Sequence, residues 1–274
     1  MKSIVMAAIV CAALALPRSA AAADQWDIFG GAAGHIDDGN FTDNELANGS
    51  EQAHDLEAIG GTADEDWYLV GQQPYSSYEV VVDGLTEEVA YIPASTVGQA
   101  LQVDLVDSGG TLLNTGYAFS SIGAARTLRF RNTGGAEITN QYIRIMSGPS
   151  GCTSGCSSSA DYRVHFFETT YLIPRFNNSG TQTTVLILQN GANESVAATA
   201  RFWDTGGALL ASQSISLNAH GTAVINTAGI AGAAGAAGSI TIDHTGRYGS
   251  LHGKAVALEP ATGFTFDTMM TPRF

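Results

Sequence analysis

The chain is predicted to be all-β, folded as two consecutive antiparallel β-sandwiches, and three observations carry that prediction. Apolar and polar residues alternate with period two in short runs from residue 66 to the end. Beyond the N-terminal apolar run, no stretch of 12 residues carries a helical stripe. Glycine, with 32 residues, recurs with Asn and Ser between the runs at the spacing of hairpin turns.

The first element is a secretory leader over residues 1–23. Lys2 supplies a basic start, residues 4–16 an apolar run too short to span a bilayer, and Ala20 to Ala23 the small residues of a cleavage site. Cleavage near Ala22 or Ala23 starts the mature chain close to Asp24, without a transmembrane segment. The expected location is therefore periplasmic, extracellular or cell-surface. Loss of Lys2 and Arg18 takes the formal charge from −14 to −16. Such a surface excludes nucleic acid and anionic lipid as partners, because phosphate binding needs clustered Lys and Arg. About 250 residues remain, enough for one large or two ordinary domains, each with a sizeable core.

The first unit spans residues 24–168. Its strongest strands are Thr127-Leu-Arg-Phe-Arg-Asn, Tyr142-Ile-Arg-Ile and Tyr162-Arg-Val-His-Phe. In the first of these, Leu128 and Phe130 are expected inward and Arg129 and Arg131 outward. Trp67 is expected in the core. Tyr75 and Tyr78, beside Pro74 and two serines, are expected on the surface, where planar rings stack on sugar or peptide groups. Cys11 leaves with the leader, so Cys152 and Cys156 are the mature inventory. Four apart in a Gly-containing loop and in an oxidising compartment, they are expected to form a disulfide clip worth about 2 kcal/mol.

A boundary is predicted near residues 168–171, with no Pro- or Ser-rich linker, so the units are expected to abut with limited freedom. The second unit, residues 169–274, opens on Ile173-Pro-Arg-Phe-Asn-Asn-Ser-Gly. Val185-Leu-Ile-Leu reads as a strand buried on both faces, and strands at 196–203, 212–217, 222–226, 239–243 and 254–258 follow at hairpin spacing. The Ala/Gly tract 228–238 is expected to be a flexible loop. Pro-Arg-Phe occurs at 174–176 and again at 272–274, which suggests first and last strands side by side. Both units use one turn, Asp107-Ser-Gly-Gly and Asp204-Thr-Gly-Gly, whose glycines are expected to supply positive φ.

Catalytic patterns are sparse. Neither Gly-x-Ser-x-Gly nor His-Glu-x-x-His occurs, and the six histidines are widely spaced. Asp243, His244, Ser250 and His252 lie close in the chain, but they are expected as polar residues at strand ends rather than as a triad.

Gly61-Thr-Ala-Asp-Glu-Asp-Trp-Tyr resembles the Asp-x-Asp-Trp-aromatic strand entry of bacterial pre-peptidase C-terminal (PPC) domains. The upstream Asp43-Asn-Glu-Leu-Ala-Asn-Gly and Ala53-His-Asp-Leu are similar to that family's lead-in, and the resemblance covers residues 38–168. It departs from the family's Glu-Pro-Asn-Asp, which is Glu45-Leu-Ala-Asn here. The resemblance implies a jelly-roll-like β-sandwich found on exported proteins, some members of which bind collagen, polysaccharide or calcium. It also implies a set of hard oxygen ligands for Ca²⁺: Asp43, Glu45, Asn48, Asp64 and Asp66. The second unit, through Pro174-Arg-Phe-Asn-Asn, Phe202-Trp-Asp-x-Gly-Gly and Gly253-Lys-Ala-Val-Ala-Leu-Glu-Pro, resembles an immunoglobulin-like domain that recurs in exported bacterial proteins. The expected function is non-catalytic binding of an extracellular polysaccharide, protein or surface component, with calcium as a stabilising ion. The competing expectations are an exported hydrolase and a structural part of a cell-surface assembly.

Overall fold

The computed structural model describes residue 39 and residues 42–55, 65–84, 101–117, 125–147 and 161–273. The leader, Asp64, Cys152 and Cys156 lie outside the described residues, and so does the expected disulfide. Seventeen strands, numbered in chain order, form four sheets among the described residues. The first sandwich pairs β1 (Glu51–His54), β8 (Tyr162–Glu168), β3 (Ser76–Asp83) and β6 (Arg126–Asn132) in one sheet. Its second sheet runs β2 (Glu65–Gln72), β7 (Ile138–Ser147), β4 (Leu101–Asp107) and β5 (Leu112–Tyr117).

The second sandwich has a sheet ordered β12 (Leu209–Leu217), β11 (Val196–Asp204), β14 (Ala237–His244), β9 (Tyr171–Asn177) and β17 (Thr271–Pro272). Facing it are β13 (Thr222–Asn226), β10 (Thr183–Asn190), β15 (Leu251–Glu259) and β16 (Phe264–Met269). All strand pairs are antiparallel, so the all-β sandwich class holds. Only Thr169 and Thr170 separate β8 from β9, and β17 returns to pair with β9.

Alternation builds each core. Tyr68, Val80, Leu128, Ile143, Ile145 and Phe166 fill the first, while Ile173, Phe176, Leu186, Leu188, Phe202 and Ile242 fill the second. Trp67 is buried but lies outside the first core. It packs with Val106 and Tyr142 on the opposite face of its sheet, beneath the Arg144 guanidinium. Val185-Leu-Ile-Leu is not buried on both faces: Leu186 and Leu188 enter the core, while Val185 and Ile187 stay half-buried on an apolar outer face beside Val224. A face without a second layer still reads as a continuous apolar run, which explains the misreading.

The two shared turns have the same construction. The Asp107 Oδ1 accepts from the N–H groups of Gly109 and Thr111 at 2.8 Å each, and the Asp204 Oδ1 accepts from those of Gly206 and Ala208 at 2.8 Å each. Only the second glycine of each pair takes positive φ, Gly110 at 76° and Gly207 at 85°. This is the two-plus-one geometry of a turn followed by a bulge rather than a two-glycine hairpin.

The Ala/Gly tract is packed, contrary to expectation. It opens in a 3₁₀ turn at Thr227–Gly229, buries Ala233, whose carbonyl accepts from the Asn178 Nδ2 at 2.9 Å, and ends inside β14. Small residues are required there because the strands approach closely. A Cβ on Gly238 would sit 1.8 Å from the Trp203 carbonyl oxygen.

Candidate functional site

The outward face of β6 meets the second sandwich. Alternation buries Leu128 and Phe130, so Arg129 and Arg131 project the other way. There the Arg131 Nε donates to the Asp243 Oδ2 at 2.6 Å, and its Nη2 donates to the Thr199 Oγ1 at 2.8 Å. Asp243 is fully buried and also receives the Arg201 Nη1 on its other oxygen. The Arg201 guanidinium lies 4.5 Å from the Tyr75 ring centroid, and Tyr75 packs against Trp203. One carboxylate thus ties an arginine from each sandwich. Burying such a charge is tolerable only with this degree of pairing.

Around this centre lie further contacts at the junction. Arg129 forks onto Glu194 at 2.6 and 3.2 Å and donates to the Thr245 carbonyl at 2.9 Å. Arg247 approaches Glu194 to 3.7 Å. The Tyr248 ring stacks on Phe167 with centroids 4.7 Å apart, and its N–H donates to the Glu79 Oε2 at 2.6 Å. Arg273 donates to Glu168 at 2.8 Å and to the Ser76 hydroxyl. The His244 N–H donates to the Ser77 Oγ at 3.1 Å. A cleft of ≈ 380 Å³ opens beside this network, lined by Asn114, residues 127–131 of β6 and Thr245.

The electrostatics follow from burial. The Glu79 and Glu168 carboxyls are raised by desolvation, with the Tyr248 N–H and Arg273 respectively acting against the rise. Glu194 is lowered, chiefly by the Arg129 hydrogen bond. His244 is pushed down to about 4 by burial, with the charges of Arg131 and Arg129 adding to the effect. Its Nδ1 accepts the Gly246 N–H at 3.0 Å and its ring stacks on Tyr171. Ser250 donates to the Arg247 carbonyl at 2.7 Å and His252 is exposed, so Asp243, His244, Ser250 and His252 do not assemble a triad.

The residues singled out as ligand-binding are placed differently from expectation. Tyr78 is a core residue, 2% exposed, stacked between Phe130 and Phe166, with its hydroxyl accepting from the Gln73 N–H at 2.6 Å. Its strand position sends it inward, and the neighbouring polar residues mislead. Tyr75 is half-buried at the junction under Arg201, at a φ of 53°, and is not an open stacking surface.

The four described members of the calcium set, Asp43, Glu45, Asn48 and Asp66, have separate surroundings. Asp43 and Glu45 are exposed, whereas the Asn48 Oδ1 accepts the Glu168 N–H at 2.7 Å. Asp66 points into the core, where it accepts from the Tyr162 hydroxyl beside Tyr68 and His54. Burial and Asp66 raise Tyr162 well above its ordinary 10. Asp64 lies outside the described residues, and among those described no group of three His, Cys, Asp or Glu could hold a metal ion.

Sequence reasoning missed Asp243, Arg131 and Arg201 as a unit. The available signal was the outward placement of two adjacent-face arginines on β6 in an otherwise acidic chain. No helix among the described residues is long and apolar enough to cross a membrane.

No family model matches the chain, and no curated protein matches it. Solved structures to which it is similar include a β-glucuronidase from Bacteroides uniformis, at 11% identity and a TM-score of 0.21 over 83% of this chain and 32% of that one. A glycosyl hydrolase family 2 member from Bacteroides cellulosilyticus is similar at 8% identity and a TM-score of 0.21, over 79% of this chain and 30% of that one. The chain spans about a third of the length of these enzymes, and at such scores the likeness carries no functional argument.

Proposed function

We propose that the protein is a secreted, non-catalytic binding module that acts outside the cytoplasm on an extracellular polymer or protein partner. The observation that carries this reading is the junction: a buried Arg131–Asp243–Arg201 cluster fixes two sandwiches against each other and leaves beside it a cleft lined by β6, Asn114 and Thr245. A rigid pair of sandwiches with a preformed cleft suits recognition, because little ordering entropy opposes binding. The resemblance of residues 38–168 to PPC domains and the leader-like residues 1–23 support the same compartment and role. Calcium is left out of this proposal, since the geometry gives Asn48 and Asp66 other work.

The test is a glycan and matrix-protein array probed with the mature protein, with and without calcium, alongside a library of esters and peptides. Saturable binding without turnover is the expected result. Turnover of any library member would overturn the reading in favour of an exported hydrolase. Mass spectrometry of exported material is expected to show a chain starting near Asp24.

A further inference from the structure

Beyond the leader the chain has ten basic residues, and five of them, Arg129, Arg131, Arg201, Arg247 and Arg273, gather at the junction of a protein of formal charge −14. Glu168 answers Arg273. The other four guanidinium groups face three carboxylates, Glu194, Asp243 and Glu79, and of the four, Arg129 and Arg131 line the cleft. Two arginines keep unused donors. The Arg131 Nη1 and the Arg129 Nε make no hydrogen bond among the described residues, and both side chains line the cleft while partly exposed.

The cleft volume, ≈ 380 Å³, falls in the range of about 300–1,000 Å³ typical of small-ligand sites. The edge position of β6 would suit an added peptide strand, but the Arg129 carbonyl at its middle already accepts from the Asn114 Nδ2 at 3.0 Å. That cap disfavours strand addition and leaves one unused nitrogen on each of Arg129 and Arg131, flanked by Asn and Thr side chains. Guanidinium N–H groups donate to carboxylate and sulfate oxygens, and amides and hydroxyls match the hydroxyls of a sugar ring.

We propose that this cleft binds an anionic sugar unit of an extracellular glycan. Arg129 and Arg131 hold the carboxylate or sulfate, and Asn114, Thr127 and Thr245 face the ring. The assignment rests on the binding-module reading above and names its ligand class.

Isothermal titration of the mature protein with three probes tests it: an oligogalacturonate, its methyl ester, and a heparin-derived sulfated oligosaccharide. At least one anionic probe is expected to bind saturably and more weakly at high salt, about tenfold tighter than the neutral ester. Binding of the galacturonate alone assigns a carboxylate, and binding of the heparin fragment alone assigns a sulfate. Arg129→Gln, which removes a partly exposed pair with Glu194, is expected to weaken binding about tenfold with the melting temperature within about 4 °C of the parent, while Arg163→Gln on β8, two strands from β6 in the same sheet, leaves binding intact. Equal affinity for acid and ester, indifference to Arg129→Gln, or preference for a poly-glutamate peptide would each overturn the assignment. Binding of a neutral glycan or a protein on the array, insensitive to Arg129→Gln, would overturn the cleft while leaving the binding module standing.

Discussion

The Nε of Arg131 and the Oδ2 of Asp243 lie 2.6 Å apart across the junction of the two sandwiches, and the carboxylate has no exposed surface. Asp243→Asn removes the charge that Arg131 and Arg201 share and leaves both guanidinium groups uncompensated in a largely desolvated place. The expected loss is about 3–5 kcal/mol in urea denaturation. Replacing all three together, with Asp243→Leu, Arg131→Met and Arg201→Met, is expected to recover most of it, because no buried charge is left unpaired.

His244 makes stability depend on pH. Its imidazole titrates near 6.5 when unfolded and at about 4 in the buried junction, so between those values the unfolded chain holds the extra proton. The stability present above pH 6.5 is lost as pH falls toward 4, by about 3 kcal/mol in full. Glu79 and Glu168 act in the opposite sense: their carboxyls are raised, so the folded form takes up protons first as pH falls. Denaturation midpoints measured from pH 7.5 to 4.5 are expected to fall, and His244→Phe is expected to flatten the fall while lowering the neutral-pH value through loss of the Gly246 contact.

The Ala/Gly tract offers a direct contrast between two glycines. Gly238→Ala drives a methyl group into the Trp203 carbonyl and is expected to cost more than about 4 kcal/mol. Gly229→Ala meets nothing within 4 Å and is expected to stay within about 0.5 kcal/mol of the parent. Equal tolerance of both in thermal melts would mean that the tract is a loose loop after all.

In the first core, Tyr162→Phe removes the hydroxyl that donates to buried Asp66 and contacts the Tyr68 hydroxyl at 2.7 Å. The expected cost is about 1–3 kcal/mol, since a buried carboxylate loses a donor. A double-mutant cycle with Asp66→Asn is expected to be non-additive, the second change costing less in the Tyr162→Phe background.

Much of the secondary structure was legible because alternation is a local property. Residues 127–132, 162–166 and 222–226 fall within observed strands, with Leu128, Phe130, Val164 and Phe166 inward as their spacing demands. Val185 and Ile187 were misread because an apolar run does not say whether a second layer covers it. Tyr78 was misread because Pro74, Ser76 and Ser77 look like a surface turn, whereas Ser76 and Ser77 are themselves buried against the second unit. The candidate site was barely legible: Arg131 and Asp243 are 112 residues apart, and no local pattern links them.

By itself the sequence determined the strands, their inward faces, the all-β class and the shared Asp-x-Gly-Gly turns, because each depends on neighbours within a few residues. Tertiary structure alone decided what the outward arginines of β6 meet. Alternation states that Arg129 and Arg131 leave their own core, but only the docking of the second sandwich supplies Asp243 and Glu194 and desolvates the contact. That desolvation turns two ordinary surface charges into the buried lock and cleft from which a binding function is proposed.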